Sequence, residues 1–256
     1  MKNIKVDELL SSKIYVKENS AVNFKSPEFY IRPFLDIMGE HTENTTIQVS
    51  KAVINAEADG RKNIAYPRIN IECRIGTEII GFHSVIGLIY ALDTQIPIAK
   101  VYTGQSVSTC LNLCIFGAED IYETNMLNSI QEIYNRVEKF KSDKLEQVER
   151  YTKIYKDMTE THLTPAGMKE ILGNLLIKGS QSKLGTSPVV AAAQSLIDPK
   201  SMYYVNEGAD FKCNQWNIYN AVTQSLTDSV DPVYRPNKTL ELTNIIRNIE
   251  TAEVVE

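Results

Sequence analysis

Acid–base and metal chemistry near neutral pH draws first on histidine and cysteine. This chain offers His41, His83 and His162, and Cys73, Cys110, Cys114 and Cys213. A histidine works as a general base when a carboxylate or a nucleophile stands within hydrogen-bond reach. His41 falls in the polar run HTENTT, His83 inside an apolar strand-like run, and His162 between two helical stretches. None has a partner at useful spacing, and HExxH does not occur. His83 reads as a core histidine. Cys110 and Cys114 stand too far apart for a CxxC motif, and no further Cys or His pair follows at zinc-ligand spacing. Four thiols in 256 residues are too sparse for a disulfide framework, so reduced, buried thiols are expected. No catalytic residue, metal ligand or cofactor is assigned.

Phosphate chemistry has one candidate. GxxxxGK[ST] and GxGxxG are absent, but LLIKGSQSKLGTSP (175–188) is a basic, small-residue loop directly before a helix start. Its amides, with Lys178 and Lys183, could cradle a phosphate; an ordinary exposed connector is the favoured reading. FKSPEFYIRPF (24–34) interleaves Phe24, Phe29, Tyr30 and Phe34 with Lys25 and Arg32. A single-stranded nucleic-acid groove has that composition, and so does a helix burying its rings, which is favoured.

The elements that must carry these residues change along the chain. RINIECRI (68–75) alternates, with Ile69, Ile71, Cys73 and Ile75 on one face and Arg68, Asn70, Glu72 and Arg74 on the other. Together with strands read in 45–55, 77–93 and 96–104, it predicts an antiparallel sheet with one wet face and a turn at Gly76-Thr77. Residues 26–39 read as two short helical pieces separated at Pro33. From Met126 to Met158 an apolar stripe predicts one long helix, part of an acidic stretch over 119–158. Helices opening at Thr164-Pro165, at Ser187-Pro188, around Trp216–Leu226 and from Thr239 follow. Strands first and helices afterwards predict an α+β fold, an antiparallel sheet packed against helices from the C-terminal half. One domain over 1–256 is expected, β-rich to 116 and helical from 117. Hydrophobic residues make up 43% and net charge is -5, so a core is available and a strongly basic binder is excluded. The start of the chain lacks a signal-like apolar run and no apolar stretch reaches membrane length, which points to a cytoplasmic protein without a membrane partner.

Two segments carry a family resemblance. STCLNLCIF (108–116) contains Cys110 and Asn112, and CNQWNIYNAVTQSLTD (213–228) contains Trp216, Tyr219, Asn220 and Thr223 in the pattern Trp-x-x-Tyr-Asn-Ala-x-Thr. In this order they resemble the phage/plasmid-like protein family of unknown function. The resemblance implies a mobile-element protein acting in a bacterial host cell, and no established activity. Trp216, Tyr219, Ala221 and Val222 can share an apolar helix face, while Asn220 and Thr223 can bond a neighbouring element or line a site.

Three functions follow. The first is a non-enzymatic accessory protein binding single-stranded nucleic acid in replication or recombination, through Arg68, Arg74, Lys178 and Lys183. The second is a protein-interaction role, as a virion or assembly component, a homo-oligomer or an inhibitor of a host defence. The third is an enzyme whose groups converge from distant segments. The first is favoured narrowly.

Overall fold

The computed structural model describes residues 2–10, 13–15, 27–39, 45–50, 53–56, 62–65, 68–91, 98–108, 112–125, 130–206, 208 and 210–249. The fold is α+β, with a seven-stranded antiparallel sheet in the N-terminal half and helices in the C-terminal half. By internal contacts the residues form two compact units. The first holds Met1–Gly104, Glu119–Lys144 and Asp231–Val233; the second holds Gln105–Ala118, Leu145–Val230 and Tyr234–Glu256.

In the first unit, strands β1 (Lys2–Ile4), β3 (Thr45–Ser50), β6 (Arg68–Ile79), β7 (Phe82–Ala91), β8 (Ile98–Val107) and β10 (Ile121–Asn125) lie side by side in that order. A small second sheet joins β2 (Lys13–Tyr15), β5 (Lys62–Ala65) and β4 (Val53–Ala56). The alternation in β6 sets the core. Ile69, Ile71, Cys73 and Ile75 pack with Ile47, Ile86, Leu88 and Tyr90. Helix α1 (Val6–Leu10) adds Leu9, α2 (Pro27–Met38) adds Ile31, Phe34, Leu35 and Met38, and α3 (Ile130–Ser142) adds Ile133, Val137 and Phe140. α2 is one helix running through Pro33, not the two pieces expected. Proline removes one intrahelical bond, and burial of the surrounding apolar side chains offsets it.

The opposite face of the sheet corrects the expectation of a wet surface. Arg68 and Asn70 are buried, 6% and 1% exposed. Alternation states which residues share a face; it says nothing about what covers that face. The polar groups are paired instead. Arg68 faces Asp231 at 3.6 Å, and Lys100 pairs with Glu123, its register partner, at 2.9 Å. The Tyr102 hydroxyl lies 2.7 Å from Glu72 Oε1 and 2.9 Å from Asn70 Oδ1. Its ring fills the space that the missing side chain of Gly87 leaves: a Cβ there would stand 2.1 Å from Tyr102 Cζ.

Several boundaries differ from the sequence reading. β6 continues past Gly76-Thr77, where the β6–β7 register shifts, and the turn falls at Ile80-Gly81. His83 sits beside that turn, half-buried and 3.8 Å from Glu78, not in the core. The acidic stretch over 119–158 begins with a 3₁₀ turn at Ala118–Asp120 and strand β10, and the one long helix expected from Met126 to Met158 is two, α3 and α4 (Lys144–Glu160), broken at Asp143. At the break Ser142 Oγ bonds the Lys139 carbonyl and Asp143, competing with the helical ladder.

The second unit gathers α4, α5 (Pro165–Ser180), α6 (Ser187–Ile197), α7 (Gln215–Ser229) and α8 (Arg235–Arg247) with the short strand β9 (Leu113–Cys114), which pairs with the end of β8. Thr164 caps α5 by accepting from the Gly167 amide. Asn214 and Asn217 form a reciprocal capping box on α7. α8 begins at Arg235, earlier than the expected Thr239, with Pro236 in its first turn where a missing N–H costs nothing. No helix among the described residues is long and apolar enough to cross a membrane.

Gly87→Ala drives a methyl group into a buried ring whose hydroxyl is held on two partners. It is expected to lower stability by about 1–3 kcal/mol, read as a reduced denaturant midpoint with an unchanged m-value.

Candidate functional site

The two segments that carry the resemblance meet in the second unit. β9 and the end of β8 form a hairpin whose loop is closed by the Val107 amide donating to the Asn112 carbonyl at 3.0 Å. Asn112 is fully buried there. Its amide nitrogen donates toward α7, 2.9 Å from Asn220 Oδ1 and 3.2 Å from the Asn220 carbonyl, with the Tyr203 hydroxyl at 3.4 Å. Tyr203 in turn donates to Gln224 Oε1 at 3.2 Å, and Gln224 donates to Asp228 at 2.8 Å on the surface. A polar seam therefore runs from the interior outward along α7. Thr223 bonds back to the Asn220 carbonyl within the helix.

One turn away, Tyr219 is buried with its hydroxyl 3.2 Å from Thr243 Oγ1, which reaches the Ile115 carbonyl at 2.6 Å. Burial, first among the causes, holds this phenol protonated well above its ordinary range. Trp216 stacks on Tyr219 with centroids 5.5 Å apart and meets Tyr155 edge-on at 4.9 Å. Phe116 packs against Tyr219 and Tyr151. Asn112, Trp216, Tyr219, Asn220 and Thr223 thus share one cluster, while Cys110 lies outside the described residues. The cluster is built of amides, hydroxyls, rings and the buried Cys114 thiol beside Tyr219, with the Asp228 carboxylate at its surface end. Such groups anchor α7 and offer no acid–base pair at neutral pH.

No family model matches the chain, and no curated protein or solved structure matches it significantly. The residues and their surroundings carry the argument from here.

The basic candidates fall in different settings. Arg68 is buried and Arg74 half-buried, while Lys178 and Lys183 are exposed. Four amides of the 175–188 loop are already engaged. Gln181 donates to Lys178, Ser182 and Gly185 to Gly179, and Leu184 to Ser182 Oγ. The Lys238 ammonium caps the carbonyls of Lys183 and Leu184. Those four amides are taken, so an anion there would meet the side chains of Lys178 and Lys183 without their donation. Of the aromatic run, Phe34 is core; Phe24 and Lys25 and the side chains of Phe29 and Tyr30 lie outside the described residues, as does His41. No group of three or more His, Cys, Asp or Glu among the described residues could hold a metal ion.

A surface feature escaped the sequence reading. Val190 and Ile197 on α6, and Met202 and Tyr204 just beyond it, are 45%, 59%, 72% and 41% exposed. The loop that presents them is tied down. Val205 returns to the Leu196 carbonyl at 2.8 Å, Ser201 and Tyr204 bond Asp198 and Ser201 carbonyls, and Asp198 Oδ1 takes the Lys200 amide. Tyr203, between the exposed Met202 and Tyr204, turns inward to the polar seam. An apolar residue at a surface position looks like a core residue in sequence, so no local signal marks this face.

Cys73, Cys114 and Cys213 are buried free thiols. Burial pushes the Cys73 and Cys213 thiols up from 9.0 to about 11.

Two outcomes are expected. Asn220→Ala removes the nearest acceptor of the buried Asn112 amide while leaving it the residue 220 carbonyl and the Tyr203 hydroxyl, and is expected to cost about 0.5–1.5 kcal/mol, above the cost of Asn135→Ala at an exposed position of α3, by denaturant titration. The raised thiols favour the folded state below pH 9 and lose that contribution as pH rises through about 11. The stability difference between wild type and Cys73→Ala should accordingly shrink over that window, by on the order of 2 kcal/mol, measured by urea unfolding at pH 8 to 11.

Proposed function

We propose that this chain is a non-enzymatic accessory protein of a phage or plasmid, acting inside the bacterial cell by binding another protein through the exposed face of α6 and its following loop. The observation that carries the reading is the rigid display of Val190, Ile197, Met202 and Tyr204. Exposed apolar groups on a hydrogen-bonded scaffold lose little conformational freedom on binding, which is what interface anchors require. The mobile-element context rests on the resemblance carried by 108–116 and 213–228. A second reading, binding of single-stranded nucleic acid, draws support from the exposed Lys178 and Lys183.

The test uses tagged full-length chain expressed in the bacterium that carries its gene. A co-purifying protein retained by wild type and by Leu145→Glu, but lost with Ile197→Glu/Met202→Glu, supports the reading. Identical partners in all three chains overturn it. Purified protein is also titrated with a labelled oligonucleotide of about 20 nucleotides at low and moderate salt. Salt-sensitive binding that Lys178→Ala/Lys183→Ala abolishes moves the function to nucleic acid.

A further inference from the structure

We infer that an internal water molecule is bound inside the β8–β9 hairpin, donating to Asn112 Oδ1 and held on its other side by the Ser108 hydroxyl. Asn112 is fully buried. Its amide nitrogen has two hydrogens to place and faces Asn220 Oδ1, the Asn220 carbonyl and the Tyr203 hydroxyl. Its own oxygen, Oδ1, is buried too, and no protein group among the described residues donates to it. Turning the amide over brings no relief. Oδ1 would then stand 2.9 Å from Asn220 Oδ1 and 3.2 Å from the Asn220 carbonyl, acceptor against acceptor. The surroundings therefore fix the amide's orientation and leave a buried acceptor to be satisfied from elsewhere.

A second buried polar atom in the same hairpin has the same need. Ser108 Oγ also lacks a protein partner among the described residues. Gln105 pairs with Cys114 and Ser106 with Leu113, and the Val107 amide donates to the Asn112 carbonyl. That register sets residues 108 and 112 at the two ends of one loop. A serine hydroxyl within reach of Oδ1 would donate to it directly, and these two are not bonded. One water bridges such a gap: it gives a hydrogen to Oδ1 and exchanges a second bond with the hydroxyl. An apolar occupant would leave both atoms unpaired. A hard metal cation takes about six or more oxygens, and these residues bring two side-chain oxygens. With the water in place, the seam from Asp228 through Gln224, Tyr203 and Asn112 extends to Ser108 and ties the hairpin loop to α7.

A high-resolution crystal structure of the full chain reads the site directly. Wild type should show one solvent peak about 2.5–3.0 Å from both Asn112 Oδ1 and Ser108 Oγ. Ser108→Ala, checked for an unchanged circular dichroism spectrum, should lose that peak or reduce its occupancy at least by about half. In solution the same substitution should speed hydrogen exchange of the Val107 amide at least about threefold, because the loop it closes is held less firmly. Ser180→Ala, whose hydroxyl bonds the Ile177 carbonyl at the surface, should leave that rate unchanged. A protein donor on Oδ1, or no peak beside it, overturns the water. So does a peak ringed by about six oxygens at roughly 2.3–2.6 Å, which is a cation. A peak that Ser108→Ala leaves at full occupancy, or a Val107 exchange rate it leaves unchanged, overturns the bridge to the loop.

Discussion

Asn112 is buried where water does not reach, and its side-chain amide has two hydrogens to place. That requirement constrains the second unit more tightly than any apolar contact, because apolar packing is non-directional and an amide is not. Helix α7 answers it with Asn220, whose side chain and carbonyl both face the Asn112 nitrogen. Once Asn220 is fixed, helical spacing fixes Tyr219, Thr223 and Gln224 as well. Tyr219 then meets Thr243 on α8, and Thr243 reaches back to Ile115 beside the same hairpin. The apolar residues Ile218, Val222 and Leu226 supply the greater part of the burial, but they would tolerate a shifted or rotated helix; the amide pair would not.

The sheet of the first unit solves a related problem differently. Its second face carries arginine, lysine, asparagine and glutamate out of bulk water, and each finds a partner within the sheet or from Asp231. Tyr102 is the pivot, since its ring occupies the surface over Gly87 and its hydroxyl closes the Asn70–Glu72 pair. A buried polar layer of this kind adds little net stability compared with apolar packing, and removing one member is costly. It does restrict register, because sliding β6 by one residue would exchange the paired and apolar faces.

The sequence displayed these features unevenly. The alternation in 68–75 identified β6 and its core face, since period two leaves few other readings. It was silent on the covering of the polar face, because burial there depends on segments distant in the chain. The hairpin turn was hidden by its residue type. Gly76-Thr77 resembles a turn and is an irregularity in the strand pair, while the real turn places Ile80 at φ 51°, a left-handed backbone that a β-branched side chain disfavours. The break at Asp143 was masked by apolar spacing that resumes nearly in phase in α4. In the second unit, Asn112 and Asn220 were both visible as motif residues, yet their pairing spans 108 positions and no local pattern links them. Tyr203 and Thr243 carried no signal at all, being single polar groups whose role exists only once α7 and α8 are placed.

The buried seam and the exposed face belong to one construction. Tyr203 sits in the loop 198–205, and its hydroxyl bond to Gln224 anchors that loop to α7 from below. Bonds from Ser201, Tyr204 and Val205 to backbone carbonyls close the loop from within. The result is a short segment whose backbone is held at several points while Met202 and Tyr204 project outward. Met202 stays 72% exposed, so burial of its side chain adds little to the stability of the fold. A surface that must meet a partner gains from both properties: the apolar groups supply the contact, and the fixed backbone keeps the entropy lost on association small. The polar seam thus acts in two directions, setting α7 in the interior and holding the exposed 198–205 loop in position outside.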